Sequence, residues 1–212
     1  RTFLLRKQPD YCYSPGRMNV KWLIRNGRII DPIGQGSRTA DIFIENGIIA
    51  DPPQNADSDT KVLDASGLIV SPGFIDMHVH FRDPGNIEAE SLESGMRAAA
   101  EGGFTSVVMM PNTEPAISET TVLESLIERA EHNSNGTRVL MSACLTKDRL
   151  GKELSDLALL AKTGAVAFSD DGTTPSDPAL MTEAAKICRK LNLAILDHAL
   201  DKTMSSEGVM HK

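Results

Sequence analysis

Two hydrophobic patterns divide the chain near residue 72. Residues 18–71 alternate apolar and polar positions in short runs, which the dipeptides Asn26-Gly27, Asn46-Gly47 and Ser66-Gly67 separate. Alternation with a period of two is typical of strands with one buried face, and Asn-Gly pairs favour tight hairpin turns. We therefore predict a small antiparallel β unit over residues 18–71, too small to be a convincing independent domain.

From residue 73 onward, apolar runs alternate with amphipathic segments. The runs that predict strands are GFIDMHVH, TSVVMMP, RVLMSACL, AVAFSDD and LAILDHAL. The segments between them have helical spacing, and we predict that Ser118 caps the second helix and that Pro178 helps to start the fourth. Apolar strands that alternate with helices are typical of a parallel sheet covered by helices. An open doubly wound sheet and a closed barrel both fit, although no glycine-rich phosphate loop follows the first strand.

Polar side chains collect where the predicted strands end. His78 and His80 end the first strand, Asn112 follows the second, Asp171 follows the fourth and His198 ends the fifth. Because strand residues two positions apart face the same side, both imidazoles point into one space. Barrel enzymes build their active sites at this edge of the sheet. Two imidazoles can form half of a divalent metal site, and a nearby carboxylate can bridge two metal ions.

Composition and charge exclude several classes of protein. The formal net charge of -7 argues against a general nucleic-acid binder, since phosphate binding needs a basic surface. No apolar run approaches the roughly 18 residues of a membrane-spanning helix. The three cysteines are odd in number and far apart, so they indicate a reducing cytoplasm rather than a disulfide framework. Residues 1–17 precede the regular pattern and lack an initiator Met, and we interpret them as an unexplained extension.

Several of these motifs occur together in one known family. GFIDMHVHFRDPG, GGFTSVVMMPNTEP and AFSDDG, followed by a strand that ends in His198, resemble the type I dihydroorotases of the amidohydrolase superfamily. The resemblance runs from about Trp22 to about Asp201. It implies a metal-dependent hydrolase with a (β/α)8 TIM barrel, of which residues 72–212 would form about the first five strands. Residues 18–71 would form the N-terminal part of a small β-sandwich.

The same resemblance implies an activity and a set of site residues. The activity is reversible hydrolysis of the cyclic amide of dihydroorotate to N-carbamoyl-aspartate in pyrimidine synthesis, and the usual cofactor is zinc, as one or two divalent ions. The implied metal ligands are His78, His80, Asp171 as the bridging carboxylate, and His198. Arg82 and Asn112 match the positions that hold the substrate carboxylate, and a guanidinium can bind a carboxylate through two charge-assisted hydrogen bonds.

The resemblance also implies parts that the 212 residues do not contain. The family places a further histidine on the sixth strand and a general-base aspartate at the end of the eighth strand. We therefore expect this chain to be inactive alone, and to be completed by a missing segment or by a partner. Leu200 also departs from the family, which has an acidic residue at that position.

Two alternatives stay open beside a dihydroorotase. Another cyclic-amide hydrolase, such as a hydantoinase, dihydropyrimidinase or allantoinase, would present a carboxylated lysine near the end of the fourth strand. Here Asp170-Asp171 occupies that place, and no lysine lies between Lys162 and Lys186. The other alternative is a non-catalytic dihydroorotase-like partner of aspartate transcarbamoylase. We expect a small anionic cyclic amide as substrate and either a homo-oligomer or a transcarbamoylase complex as the assembly.

Overall fold

The computed structural model describes residues 20–34, 36–53, 57–133 and 136–199. The chain forms two compact units that divide between Pro72 and Gly73. The predicted extension of residues 1–17 lies outside the described residues. Among the described residues, no helix is both long enough and apolar enough to cross a membrane.

The first unit is a mixed β-sheet organised around one long strand. Its strands are β1 (Lys21–Asp31), β2 (Gly36–Glu45), β3 (Ile48–Ala50), β4 (Thr60–Asp64) and β5 (Ile69–Val70). β1 pairs antiparallel with β2, which pairs antiparallel with β3. β4 and β5 both run parallel to β1. The prediction of an antiparallel unit is therefore wrong for β4 and β5, because the connection after β3 returns the chain in the direction of β1.

The dipeptides that punctuate this unit form different structures. Asn46-Gly47 forms the predicted hairpin between β2 and β3, and both residues have the positive φ that such a turn requires. Asn26-Gly27 does not form a hairpin, because β1 runs through it with a shift of register. Two carboxylates outside the dipeptide stabilise this irregularity. The main-chain N–H of Asn26 donates to Asp41, and the side-chain amide of Asn26 donates to Asp64. A local turn signal was thus overridden by long-range pairing.

The second unit is a parallel sheet with helices between its strands. In spatial order its strands are β6 (Phe74–Val79), β7 (Phe104–Met109), β8 (Arg138–Cys144), β9 (Ala167–Ser169) and β10 (Ala194–Ile195). The helices are α1 (Leu92–Glu101), α2 (Thr120–His132), α3 (Leu157–Thr163) and α4 (Pro178–Leu191). This order confirms the predicted alternation of strands and helices, and it brings the carboxyl ends of neighbouring strands to one edge.

Three helices start at side-chain caps in their local sequence, among them α3 at Asp156, and one departs from the predicted start. Ser91 and Ser94 form a reciprocal capping box at α1, and the side chain of Asp177 caps α4, where Pro178 is the first helical residue. The prediction that Ser118 caps α2 is wrong. The helix begins after Glu119, and the Ser118 hydroxyl instead donates to the carboxylate of Asp148 at 3.0 Å.

The core of the second unit lies between the sheet and its helices. Its largest fully buried side chains are Leu92, Met96, Met109, Ile117, Leu123, Leu126, Met141, Leu145, Leu160 and Phe168. These residues come from every helix except α4, which contributes the smaller Ala184 and Cys188. Removal of this apolar surface from water fixes the helices against β7, β8 and β9, and so holds the strand ends that carry the polar residues.

Candidate metal centre

Three side chains meet at the carboxyl edge of the parallel sheet: His78, His80 and Asp171. The Nε2 atoms of His78 and His80 are 3.2 Å apart. One carboxylate oxygen of Asp171 lies 3.2 Å from His78 Nε2, and the other lies 3.6 Å from His80 Nε2. Each residue offers one ligand atom, and the three atoms lie within 4.8 Å of one another. Among the described residues, this is the group of histidine, cysteine and acidic side chains that could hold a metal ion.

Local structure explains how residues so far apart in sequence converge. His78 lies near the end of β6 and His80 just beyond it, so the alternation of the strand turns both rings to one side. Asp171 is the second residue after β9, and its N–H donates to the Ser169 hydroxyl at 3.0 Å. Gly172 then turns the chain with a φ of 82°, a conformation that favours glycine. The carboxylate is consequently held at the same edge as the histidines.

Asn112 connects the members of this group. Its side-chain carbonyl lies 2.9 Å from His80 Nδ1, and its amide nitrogen donates to Asp171 Oδ2 at 2.9 Å. When His80 donates from Nδ1, its Nε2 is left as the atom with a free lone pair. Metal-binding histidines commonly have this arrangement, in which the second ring nitrogen donates to an oxygen. Two imidazole nitrogens and one carboxylate are a donor set suited to zinc and similar divalent ions.

The neighbouring aspartate, Asp170, has a different environment. Its carboxylate accepts hydrogen bonds from the Thr146 N–H at 2.9 Å and from the Thr146 hydroxyl. Burial raises the pKa of the Asp170 carboxyl, although the hydrogen bonds from Thr146 oppose that effect. Asp170 therefore ties the end of β9 to the loop after β8, whereas Asp171 faces the histidines.

A cavity of about 530 Å³ is lined by Asn112, which also hydrogen-bonds to His80 and Asp171. Arg82, Asn86, Thr113, Glu114 and Arg149 also line it. The Arg82 side chain is exposed and has neither a hydrogen bond nor an ion pair within the described part of the chain. The carboxylate of Asp83, the next residue in the sequence, is bound to Arg129. The guanidinium of Arg82 is thus available to an anion in the cavity.

Asp83 is a structural residue that sequence reasoning missed. Its buried carboxylate accepts from both terminal nitrogens of Arg129, at 2.8 and 2.7 Å, and from the N–H of Leu92 at the start of α1. Arg129 also donates to Glu93 at 3.1 Å. The hydrogen bonds from Arg129 lower the pKa of the Asp83 carboxyl. No local motif predicts this ion pair, because Arg129 lies on α2, far from Asp83 in the sequence.

His198 is not one of the three grouped residues. It follows β10, its side chain is exposed, and its main-chain carbonyl accepts a hydrogen bond from the Thr174 hydroxyl at 2.5 Å. Its assignment to a second metal stays a prediction. The structure therefore brings together His78, His80, Asp171 and Asn112, places Arg82 on the adjoining cavity, and leaves His198 outside the group.

Comparison with known proteins decides the family. The family described as "Dihydro-orotase-like" matches residues 67–212, which is most of the chain. The chain belongs to this dihydroorotase-like family. Its similarity to individual members is also substantial: it is 44% identical over 191 residues to the dihydroorotase of Solibacter usitatus (strain Ellin6076), covering 90% of this chain and 44% of that protein.

Further relatives agree with this assignment. The dihydroorotase of Aquifex aeolicus (strain VF5) is 41% identical over 187 residues, covering 88% of this chain and 44% of that protein. The chain thus spans less than half the length of these dihydroorotase-like relatives. Among solved structures, the L-hydantoinase of Arthrobacter aurescens matches with a TM-score of 0.68 at 20% identity, covering 86% of this chain and 41% of its own. The D-hydantoinase of a Thermus species matches with a TM-score of 0.60 at 24% identity. The match covers 84% of this chain and 40% of the hydantoinase chain. These likenesses confirm the predicted barrel fold, to which the curled five-stranded parallel sheet corresponds.

Proposed function

We propose that this protein is a metal-dependent dihydroorotase, which interconverts dihydroorotate and N-carbamoyl-aspartate. The observation that carries the proposal is the position of Asn112. It hydrogen-bonds to His80 and Asp171 and also lines the cavity to which Arg82 contributes a guanidinium that has no partner among the described residues. The candidate metal-binding residues and the candidate anion-binding residue are thus neighbours at one site. Dihydroorotate requires both, because it carries a carboxylate beside the cyclic amide that is cleaved.

The side chains of the site have separate roles in this proposal. Arg82 binds the substrate carboxylate with paired N–H donors, and the amide of Asn112, which lines the same cavity, adds a donor. His78, His80 and Asp171 would hold a divalent metal ion, which we propose is zinc. His198 would help to bind a second ion of the same kind. When bound, the metal supplies Lewis acidity at the ring carbonyl and activates water. Asn112 keeps His80 in the tautomer that presents Nε2.

The residues that follow β9 favour a dihydroorotase over the other cyclic-amide hydrolases. The third member of the group is Asp171, and no lysine occurs between Lys162 and Lys186. A hydantoinase would present a carboxylated lysine near the end of this strand. The assembled histidines and carboxylate equally disfavour a non-catalytic partner of aspartate transcarbamoylase, since such a protein has no need of a metal group. The proposal includes a cytoplasmic location and an assembly that is either a homo-oligomer or a complex with aspartate transcarbamoylase.

Substrate competition on the protein expressed from its complete gene tests the proposal. Bound metal is measured by elemental analysis, and ring opening is followed by chromatography with dihydroorotate, hydantoin and dihydrouracil offered at equal concentration. We expect bound zinc and preferential turnover of dihydroorotate. Arg82→Met should raise KM for dihydroorotate far more than it changes the metal content. Preference for hydantoin or dihydrouracil would contradict the proposal, and absence of both metal and turnover together with co-purified transcarbamoylase would favour the non-catalytic alternative.

A further inference from the structure

Arg149 contacts the main chain of the candidate metal ligand Asp171. It lies in the loop that follows β8, and its Nη2 donates a hydrogen bond to the carbonyl oxygen of Asp171. The same nitrogen lies 3.3 Å from the position that a Cβ would occupy at Gly172. The guanidinium therefore packs against the turn that carries the carboxylate, on the side that lines the cavity.

The loop that carries Arg149 has an unusual backbone. Asp148 and Arg149 have φ values of 50° and 59°, in the left-handed region that residues with a Cβ seldom adopt. Two contacts hold this conformation: the Arg149 N–H donates to the carbonyl of Thr146 at 3.0 Å, and the Asp148 carboxylate accepts from Ser118 at 3.0 Å. Such conformations persist where the surrounding structure fixes them, and they concentrate at functional sites. Here the conformation aims the guanidinium at Asp171.

The turn after β9 is consequently held from the same loop at two points. Thr146 binds the carboxylate of Asp170, and Arg149 binds the carbonyl of Asp171. The Asp170 contacts fix the residue before the candidate ligand, and the Arg149 contact fixes the ligand's own peptide. Rotation of that peptide would move the Asp171 carboxylate away from His78 and His80. Residues that orient metal ligands in this way commonly affect metal affinity as much as activity.

We propose that Arg149 is a positioning residue for the metal group, holding the Asp171 carboxylate between His78 and His80 through its main-chain carbonyl. The inference rests on the metal site of the proposed function. A positioning role and a purely electrostatic role of Arg149 predict opposite changes in metal affinity when the side chain is replaced. A positive guanidinium near a bound cation repels it, so removal of the charge alone would strengthen metal binding. Removal of the positioning contact instead weakens metal binding.

Cobalt binding to the protein from its complete gene provides the test, with Co²⁺ alone as the probe. The metal-free protein, Arg149→Met and Arg149→Lys are titrated with Co²⁺, and the visible absorption of the bound ion reports its coordination. Arg97→Met is the matched control, because Arg97 is exposed on α1 and has no partner in the described structure. We expect Arg149→Met to weaken Co²⁺ binding by about 10-fold to 100-fold and to change the absorption spectrum. Arg149→Lys should recover part of the affinity, since a lysine can donate one hydrogen bond.

The other outcomes separate this inference from the proposed function. Unchanged or tighter Co²⁺ binding by Arg149→Met, with an unchanged spectrum, would overturn the positioning role and leave the metal site intact. Failure of the unsubstituted protein to bind Co²⁺ would overturn both. The melting temperature of each metal-free variant is measured alongside. If the Arg149 variants have lower melting temperatures but bind Co²⁺ as the unsubstituted protein does at temperatures where they are folded, Arg149 stabilises the fold and the positioning role is wrong.

Discussion

Two buried carboxylates in the parallel unit, Asp171 and Asp83, differ in the partners that compensate their negative charge. In the metal group, the carboxylate of Asp171 faces His78, His80 and the amide of Asn112. In the second cluster, the carboxylate of Asp83 faces the guanidinium of Arg129. Both carboxylates are almost completely buried, with relative side-chain exposures of 5% and 4%.

The comparison shows which cluster still has room for a cation. Burial of a carboxylate is costly unless a charge or hydrogen bonds compensate it. Asp83 has a guanidinium and a main-chain N–H as partners, so its charge is compensated within the fold. The partners of Asp171 are two imidazoles, whose nitrogens can themselves be ligands, and one amide. A divalent ion would complete the cluster around Asp171, whereas the cluster around Asp83 needs none.

The largest effect should come from the compensated cluster. Arg129→Met leaves the buried Asp83 carboxylate without its cation, and we expect the free energy of unfolding to fall by about 3 kcal/mol. Urea unfolding in metal-free buffer measures this, with Arg97→Met as the control for removal of an exposed arginine. An unchanged unfolding midpoint would show that Asp83 and Arg129 do not stabilise the fold. Metal affinity should be unaffected, because Arg129 does not contact the histidine group.

Asp171→Asn should have the opposite effects, with a large loss of metal affinity and little loss of stability. Loss of a charged ligand should weaken Zn²⁺ binding by more than about 100-fold, which exceeds the usual cost of losing a residue that only orients a ligand. Stability of the metal-free protein should change little or increase, since an uncompensated buried charge is removed. Competition with a chromophoric chelator measures the affinity. Near-normal Zn²⁺ binding by this variant would break the distinction between the two clusters.

Asn112→Ala should have a smaller effect on the same site. The substitution removes the acceptor that orients His80 and the donor to Asp171, so we expect Zn²⁺ binding to weaken by about 10-fold to 100-fold. Asn86→Ala is the matched control, since Asn86 lines the same cavity without contacting the metal group. Equal affinities for the two variants would mean that Asn112 acts only on substrate, as the sequence resemblance alone implied.

Acid should affect the compensated cluster in a defined direction. The pKa of Asp83 is lowered, chiefly by the hydrogen bonds from Arg129. Its contribution to stability is therefore complete above the unfolded pKa of about 4 and is lost as the pH falls through the lower folded value. Urea unfolding at a series of acidic pH values should show a shallower loss of stability for Asp83→Asn than for the unsubstituted protein. Parallel pH profiles would contradict the assigned pair.

The parallel unit was largely predictable because its signals are local. Apolar runs and amphipathic segments gave the strands and helices, and the strand ends gave His78, His80, Asn112 and Asp171 as candidates. Predictions were wrong where long-range contacts compete with local ones. β1 continues through Asn26-Gly27 because both of its neighbours pair with it, and Ser118 contacts Asp148 instead of capping α2.

The amino-acid sequence by itself determined the family, the order of elements in the parallel unit and the chemical types available at its edge, because these depend on hydrophobic periodicity and short motifs. Only the tertiary structure decided that Asp170 binds Thr146, that Asn112 bridges His80 and Asp171, and that Asp83 pairs with Arg129. Arg149 likewise reaches Asp171 only through a left-handed loop. Hydrogen bonds and ion pairs depend on direction and on distances of a few ångströms, which hydrophobic patterning does not encode.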